Sequence, residues 1–335
     1  MPDESDTHQQ TWMAFVANDY IWSPHQSHEI KRNLALIANT IAKYEPVSVL
    51  VSPADYREAK LLLTQKKNEF PIELVIFEVN DFWLRDTGPT FVVDQKKELF
   101  AIDFNFNGWG NKQRHDKDAN VARFITDYSK ATPIVTQLVL EGGCIEVDGH
   151  GTAIVSKSCV LNDNRNPHLN REQIEQELLY LLGLKKIIWL NGVKGKDITD
   201  GHTDFYARFV KPRHIVVHRE NDRKSYDYDV TRENIRILKK STDAKGNKLH
   251  VTIIDAPDSI NEQWSVSDFA AGYIGYYVCN GAVIAQKFGD KKADNNARLI
   301  LERAFPDRVI EQLQVDGIAS GGGSIHCTTQ QQIMS

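Results

Sequence analysis

The residues able to do chemistry in this chain of 335 residues gather in four short segments. Trp83-Leu84-Arg85-Asp86-Thr87-Gly88-Pro89 holds an aromatic ring, a cation, an anion and a Gly-Pro turn. It reads either as a turn with an Arg–Asp pair or as a carboxylate placed at a strand end to receive a cation. Glu141-Gly142-Gly143-Cys144 follows the apolar TQLVL, and two glycines there suggest a close backbone approach. Cys144 reads as a small packed residue. Asp200-Gly201-His202-Thr203-Asp204 leads into FYARFV. If residues 202–206 are extended, His202 and Asp204 share a face and can share acid–base work. The same pair could be part of a metal site, but the usual His-x-x-x-His partner spacing is absent nearby. Gly321-Gly322-Gly323-Ser324-Ile325-His326-Cys327 places a thiol behind three glycines, which let backbone approach a ligand.

Jointly the segments describe nucleophilic catalysis. A cysteine needs a histidine, and the histidine an orienting carboxylate. Here further acids surround the set. Anions beside a thiol raise its pKa and hinder it. That arrangement is unhelpful to a protease but suits a cationic substrate, whose charge offsets the acids and favours thiolate.

The elements that must position these residues alternate between helix and strand. Residues 27–44 carry Ile30, Leu34, Ile37 and Ile41 at helical spacing, and 55–67 are patterned alike around Leu61, Leu62 and Leu63. VSVLVS (47–52) and ELVIFEV (73–79) read as strands, as do TFVVD and LFAIDF. IEVDGHGTAIVS reads as a hairpin turning at Asp148-Gly149. Asn170 with Gln173 forms a capping-box pattern, and Gly183 closes that helix. KKIIWL, HIVVHR, LHVTII and YIGYYVCNGAVIA read as further strands, and 294–305 as the last clear helix. No Gly-rich phosphate loop follows the first strand, so nucleotide cofactors are disfavoured.

Composition excludes several classes. Forty Lys+Arg against 45 Asp+Glu give a net charge of −5, a poor basis for nucleic-acid binding. No apolar run reaches the ~18 residues of a membrane span. The acidic start lacks an apolar core and does not read as a secretory signal. Four scattered cysteines, with no Cys-x-x-Cys pair, suggest reduced thiols and a cytoplasmic location. At ~100–200 residues per domain, the length allows two domains or one large one.

WLRDTGPTFV, EGGCIEVDGHGTAIVSKSCVLNDNRNP, TDGHTDFYARFV and GGGSIHCTTQQ closely resemble the agmatine deiminases, a guanidine-modifying family grouped with bacterial-type peptidylarginine deiminase. HQQTWMAF resembles that family's N-terminal segment, and the match runs from about residue 8 to residue 331. The resemblance implies an α/β fold, the five-bladed α/β propeller called the pentein fold. Its ββαβ-like repeats would form one catalytic domain over residues 1–335, five repeats of about 67 residues each. It implies hydrolysis of a guanidinium to a ureido group with release of ammonia, without a metal or organic cofactor. The substrate would be a small cationic guanidine, with no nucleic acid or membrane partner and a homodimer or larger assembly. By motif position, Cys327 matches the nucleophile, His202 the general acid/base and Glu141 its carboxylate partner. Asp86 and Asp204 match the acids that grip guanidinium nitrogens. Trp83, Arg85, Gly322, Gly323, Ile198 and Ser324 are expected to line the substrate site.

The sequence departs from the family pattern at Val16, at Ile198, where the family usually carries an acid, at Gly275 and at Ser324, where it usually carries Asn. Ile198 bears on the far end of the substrate: an acid there would pair with agmatine's second amine. Asp197, Asp200 or the N-terminal Asp3, Glu4 and Asp6 could substitute. Agmatine is the first substrate expected, free or peptidyl arginine the second. A non-catalytic polyamine-binding pentein would lack the Cys or His that this chain keeps. A papain-like protease is disfavoured, because its Cys normally precedes its His.

Overall fold

Parallel strands cannot be joined by a tight turn, so a repeat of hairpin, helix and returning strand builds a small mixed sheet. That unit recurs around the chain. The computed structural model describes residues 1–64, 68–264, 266 and 268–335. Its strands are β1 (His8–Phe15), β2 (Val47–Val51), β3 (Ile72–Ile76), β4 (Thr90–Val93), β5 (Leu99–Asp103), β6 (Thr132–Val135), β7 (Ile145–Val147) and β8 (Thr152–Ser156). They continue as β9 (Lys186–Leu190), β10 (Ala207–Lys211), β11 (His214–Arg219), β12 (His250–Asp255), β13 (Tyr277–Cys279), β14 (Ala282–Gln286), β15 (Val309–Leu313) and β16 (Gln330–Ile333).

Five sheets result. Four have the orders β4-β5-β6, β7-β8-β9, β10-β11-β12 and β13-β14-β15. In each, the first two strands are antiparallel and the third is parallel to the second. The crossover helices are Val121–Ser129, Arg171–Leu181, Tyr228–Lys240 and Lys291–Ala304. The remaining sheet takes its first strand from the other end of the chain. β16 lies antiparallel on β1, the helix Pro24–Ile41 crosses over, and β2 and β3 follow in parallel. This is the five-bladed α/β propeller expected, with Trp12 opposite Gln330 where the ring closes.

Local rules explain the elements that were foreseen. Ser23 and Asn170 open their helices with capping boxes, and Gly183 follows its helix at φ +64°. Three readings need correction. YIGYYVCNGAVIA is not one strand but the β13–β14 hairpin, turned at Asn280-Gly281, with Gly281 at φ +77°. Residues 203–205 form a single 3-10 turn instead of extended chain. The first strands begin at residues 90, 145, 207, 277 and 330, so the repeats are unequal in length. The helix expected over 55–67 spans Tyr56–Leu63, and residues 65–67 lie outside the described residues. Among the described residues, no helix is long and apolar enough to cross a membrane.

Candidate active site

Four of the five propeller repeats send a one-turn helix into their first strand, and those turns carry the reactive residues. One-turn helices Leu84–Thr87, Gly142–Cys144, Thr203–Phe205 and His326–Thr328 precede β4, β7, β10 and β16. Asp86, Gly143, Asp204 and Cys327 lie within them, and Glu141 and His202 directly precede two of them. Residues more than 200 positions apart therefore converge because they occupy equivalent places in successive repeats.

Gly143 marks the point of convergence. A Cβ there would lie 2.5 Å from Nδ1 of His202, 3.0 Å from Oδ1 of Asp86 and 3.1 Å from Oδ2 of Asp204. Only a bare Cα lets the three side chains close around it.

His202 is fully buried, and its Nε2 lies 3.2 Å from Oε2 of Glu141. Burial alone would lower the imidazole pKa, but Asp86, the Cys159 thiol and Glu141 hold it well above the usual histidine value. Burial would raise Glu141, yet His202 and Arg165 hold it down to about 2. Arg165 donates from Nε to Oε1 of Glu141 at 3.0 Å and from Nη1 to Oδ2 of Asp200 at 2.5 Å. The pair is thus an anchored carboxylate and a charged imidazole. Nδ1 of that ring has no hydrogen-bond partner among the described residues.

The two aspartates are each tied through Oδ2. Trp109 donates its indole N–H to Asp86 at 2.9 Å, and Nδ1 of His326 meets Asp204 at 2.7 Å. Oδ1 of Asp86 takes the backbone N–H of Gly143 at 3.2 Å, while Oδ1 of Asp204 is buried with no partner among the described residues. Burial raises Asp86 to about 6, opposed by His202 and Trp109 and reinforced by Glu141 and Asp204. Asp204 stays below its ordinary value despite burial, because His326, His202 and Arg208 favour its charged form.

Sγ of Cys327 lies 3.8 Å from Oδ2 of Asp204 and 3.2 Å from Oγ of Ser324. Burial, Asp204 and Asp86 push its thiol well above the usual range. An empty site therefore holds a protonated thiol among carboxylates, and a bound cation would reverse that electrostatic penalty.

Comparison with known proteins accords with this geometry. Residues 1–332 match the family model described as Porphyromonas-type peptidyl-arginine deiminase. The chain belongs to that family. A Pseudomonas aeruginosa relative named agmatine deiminase is 35% identical, over 99% of this chain and 95% of its own. An Enterococcus faecalis agmatine deiminase structure superposes with a TM-score of 0.91 at 29% identity, covering 99% of this chain and 95% of that one. A C. jejuni agmatine deiminase with substrate bound superposes with a TM-score of 0.87 at 27% identity, covering 100% of this chain and 96% of that one.

In this peptidyl-arginine deiminase family member, most of the expected substrate-lining residues lie near the thiol or along a cavity lined in part by the glycines that flank the reactive segments, Gly201 and Gly322. Ile198 and Gly322 line a mouth of about 800 Å³, together with Asp197, Glu220, Asp227 and Asp268 and the cations Lys196 and Lys224. Trp83 donates its N–H to Asp81 at 3.0 Å and lies flat on Gly323, where a Cβ would come within 2.2 Å of the ring. Ser324 touches the thiol itself.

Arg85 is a correction. It neither lines the mouth nor pairs with Asp86; it donates to Gln331 at 2.6 Å and to Glu4 at 3.0 Å, in the interior of the ring. Of the acids offered as substitutes at Ile198, Asp197 lines the mouth. Asp200 is engaged by Arg165 and Lys112, and Glu4 lies against Arg85 and Arg208.

Sequence reasoning did not single out Trp109, Arg165 or Cys159, whose thiol donates to Glu141 at 3.1 Å. Arg165 stood inside the motif NDNRNP, and its charge in a segment that is otherwise uncharged apart from Asp163 was the available signal. Among the described residues, Glu141, Cys144 and Cys159 are close enough to hold a metal ion. A cation there would face the guanidinium of Arg165, which already binds both Glu141 oxygens.

Proposed function

We propose that this chain hydrolyses the guanidinium group of agmatine, yielding N-carbamoylputrescine and ammonia through a covalent intermediate on Cys327. The observation that carries this reading is the convergence of His202, Asp86 and Asp204 on the bare Cα of Gly143, with the buried thiol of Cys327 3.8 Å from Asp204.

Asp86 and Asp204 accept charge-assisted hydrogen bonds from the planar guanidinium and turn its carbon toward Sγ. The substrate's charge offsets the two carboxylates that keep the thiol protonated, so binding favours thiolate and the thiol proton is released to solvent. The sulfur electron pair forms the S–C bond. One C–N bond then breaks, its electrons stay on nitrogen, and His202 supplies the proton with which ammonia leaves. An S-alkylthiouronium remains. His202, now neutral, takes a proton from water, and the hydroxide adds to the same carbon. The C–S bond breaks with its electrons on sulfur, and the added hydroxyl gives its proton to that thiolate, which restores the thiol and leaves the ureido carbonyl. Glu141 stabilises the imidazolium at both stages.

The mouth supports a substrate with a cationic tail. Four carboxylates and two lysines line it, a balance unfavourable to the carboxylate of free arginine. Four free cysteines accord with a cytoplasmic location. A homodimer or larger assembly belongs to the same reading, and solution mass would test it.

Ammonia release from agmatine, free arginine and a peptide ending in arginine, compared at equal concentration, tests the assignment. Agmatine is expected to give the highest kcat/KM. Ammonia from the peptide alone would overturn it and assign a peptidyl substrate instead.

A further inference from the structure

The N-terminal segment is half-buried, and Glu4, its side chain 9% exposed, reaches into the ring. Its carboxylate meets residues from four of the five sheets or the turns that lead into them. Oε1 accepts from Nη2 of Arg208 at 2.9 Å and from the backbone N–H of Val278 at 2.8 Å. Oε2 accepts from Nη2 of Arg85 at 3.0 Å and from Nε2 of His326 at 2.8 Å. The opposite nitrogen of His326, Nδ1, meets Oδ2 of Asp204 at 2.7 Å. His326 is fixed further by its backbone N–H, which donates to the carbonyl of Gly275 at 3.0 Å.

Both ring nitrogens of His326 thus face carboxylate oxygens, which can only accept from it. We infer that Glu4 and His326 are positioning residues that together hold Asp204 in the orientation that grips the guanidinium. The inference rests on the role proposed above for Asp204. The alternative is an ion-pair hub in which Glu4 merely neutralises Arg85 and Arg208.

Two features favour the relay. Oδ2 of Asp204 is tied to His326 at 2.7 Å and met otherwise only by the long 3.8 Å contact of the Cys327 thiol among the described residues, while Oδ1 has no partner there, so His326 makes the short hydrogen bond that sets the rotation of this carboxylate. His326 is also the residue before Cys327 on the same turn, so the contact that orients the acid also bears on the nucleophile's backbone. Burial would raise the pKa of Asp204, and the contact with His326 is the leading influence that opposes it.

The test is a set of full-length variants assayed with agmatine, or with whichever guanidine of the panel releases ammonia. Asn at 326 can place an amide N–H near the Nδ1 position and so keep the bond to Asp204 while losing Glu4. Gln can do the reverse. His326→Asn is therefore expected to retain kcat/KM within about 10-fold of the parent, and His326→Gln to lose about 100-fold or more. The loss should show in both KM and kcat, with an acid limb that moves to higher pH in His326→Gln alone. Glu4→Gln is expected to cost at least about 10-fold in the parent and less than about 2-fold on the His326→Asn background, because the relay is already cut there.

Equal losses from Glu4→Gln on both backgrounds, or equal activity in the Asn and Gln variants, would overturn the relay. Should Glu4→Gln not fold, the two His326 variants, which leave the arginine contacts of Glu4 in place, still decide the inference. Asp204→Asn separates the relay from the reading beneath it. If that variant keeps parental kcat/KM, the grip assigned to Asp204 is wrong; if it is inactive while the relay variants behave as parent, only the relay is wrong.

Discussion

Nδ1 of His202 and Oδ1 of Asp86 lie 3.7 Å apart with no hydrogen bond between them. Both atoms border Gly143, so a guanidinium nitrogen gripped by Asp86 would lie beside the imidazole that protonates the leaving group. Asp86 must be ionised to accept from it. Burial raises this carboxyl to about 6, and the N–H of Trp109 is among the groups that restrain it. Activity should therefore fall as pH drops through about 6. Trp109→Phe removes a bond to the charged form, raises Asp86 further and moves the acid limb of kcat/KM to higher pH. A pH–rate profile checks this; an unshifted limb counts against Asp86 as the group that titrates there.

Gly143 tolerates no side chain where it sits. An alanine Cβ would fall 2.5 Å from His202 Nδ1. Gly143→Ala is expected to displace the histidine or the aspartates by a fraction of an ångström or more. That should cost about 100-fold in kcat/KM with a far-ultraviolet circular dichroism spectrum like the parent's. Parental kinetics would show that these groups do not converge during catalysis.

Arg165 lies between Glu141 and Asp200, with all three side chains at most 1% exposed. Removing the cation leaves Glu141 with His202 and Asp200 with Lys112 as their remaining charged partners. Arg165→Ala should lower unfolding stability by about 3–5 kcal/mol and raise the pKa of Glu141 from its present value of about 2. The sign follows from linkage. Glu141 is depressed below its ordinary 4.5, so its contribution is present above that pH and is lost as pH falls toward 2. Denaturant melts at pH 7 and pH 4 should show the variant's deficit to be larger at pH 7.

The proposed catalytic residues were legible because each sits in a short motif of unusual residues. The repeat that assembles them was not. What recurs is a position just before a strand, occupied by Asp86, Gly143, Asp204 and Cys327, so three different residue types fill one structural place. β16 escaped notice because Gln330, Gln331 and Gln332 are polar yet buried. Their amides are used by the Pro89 carbonyl, Arg85 and Trp12, so no apolar alternation marks the strand. Arg85 looked like a partner for its neighbour Asp86, but its partner Glu4 is 81 residues away, beyond any local pattern. Two departures from the family pattern prove to be neighbours. A Cβ on Gly275 would lie 2.2 Å from Cβ of Ser324, so the side chain absent at 275 makes room for the one that contacts the thiol.

The account turns on covalent chemistry at one sulfur. Its most direct test is mass spectrometry of enzyme quenched in acid during turnover of agmatine, with the modified peptide mapped. The peptide containing Cys327 should be heavier by agmatine less one ammonia, and Cys327→Ser should show neither adduct nor ammonia release. Sustained turnover with Cys327 unmodified, and with Cys327→Ser as active as the parent, would contradict it.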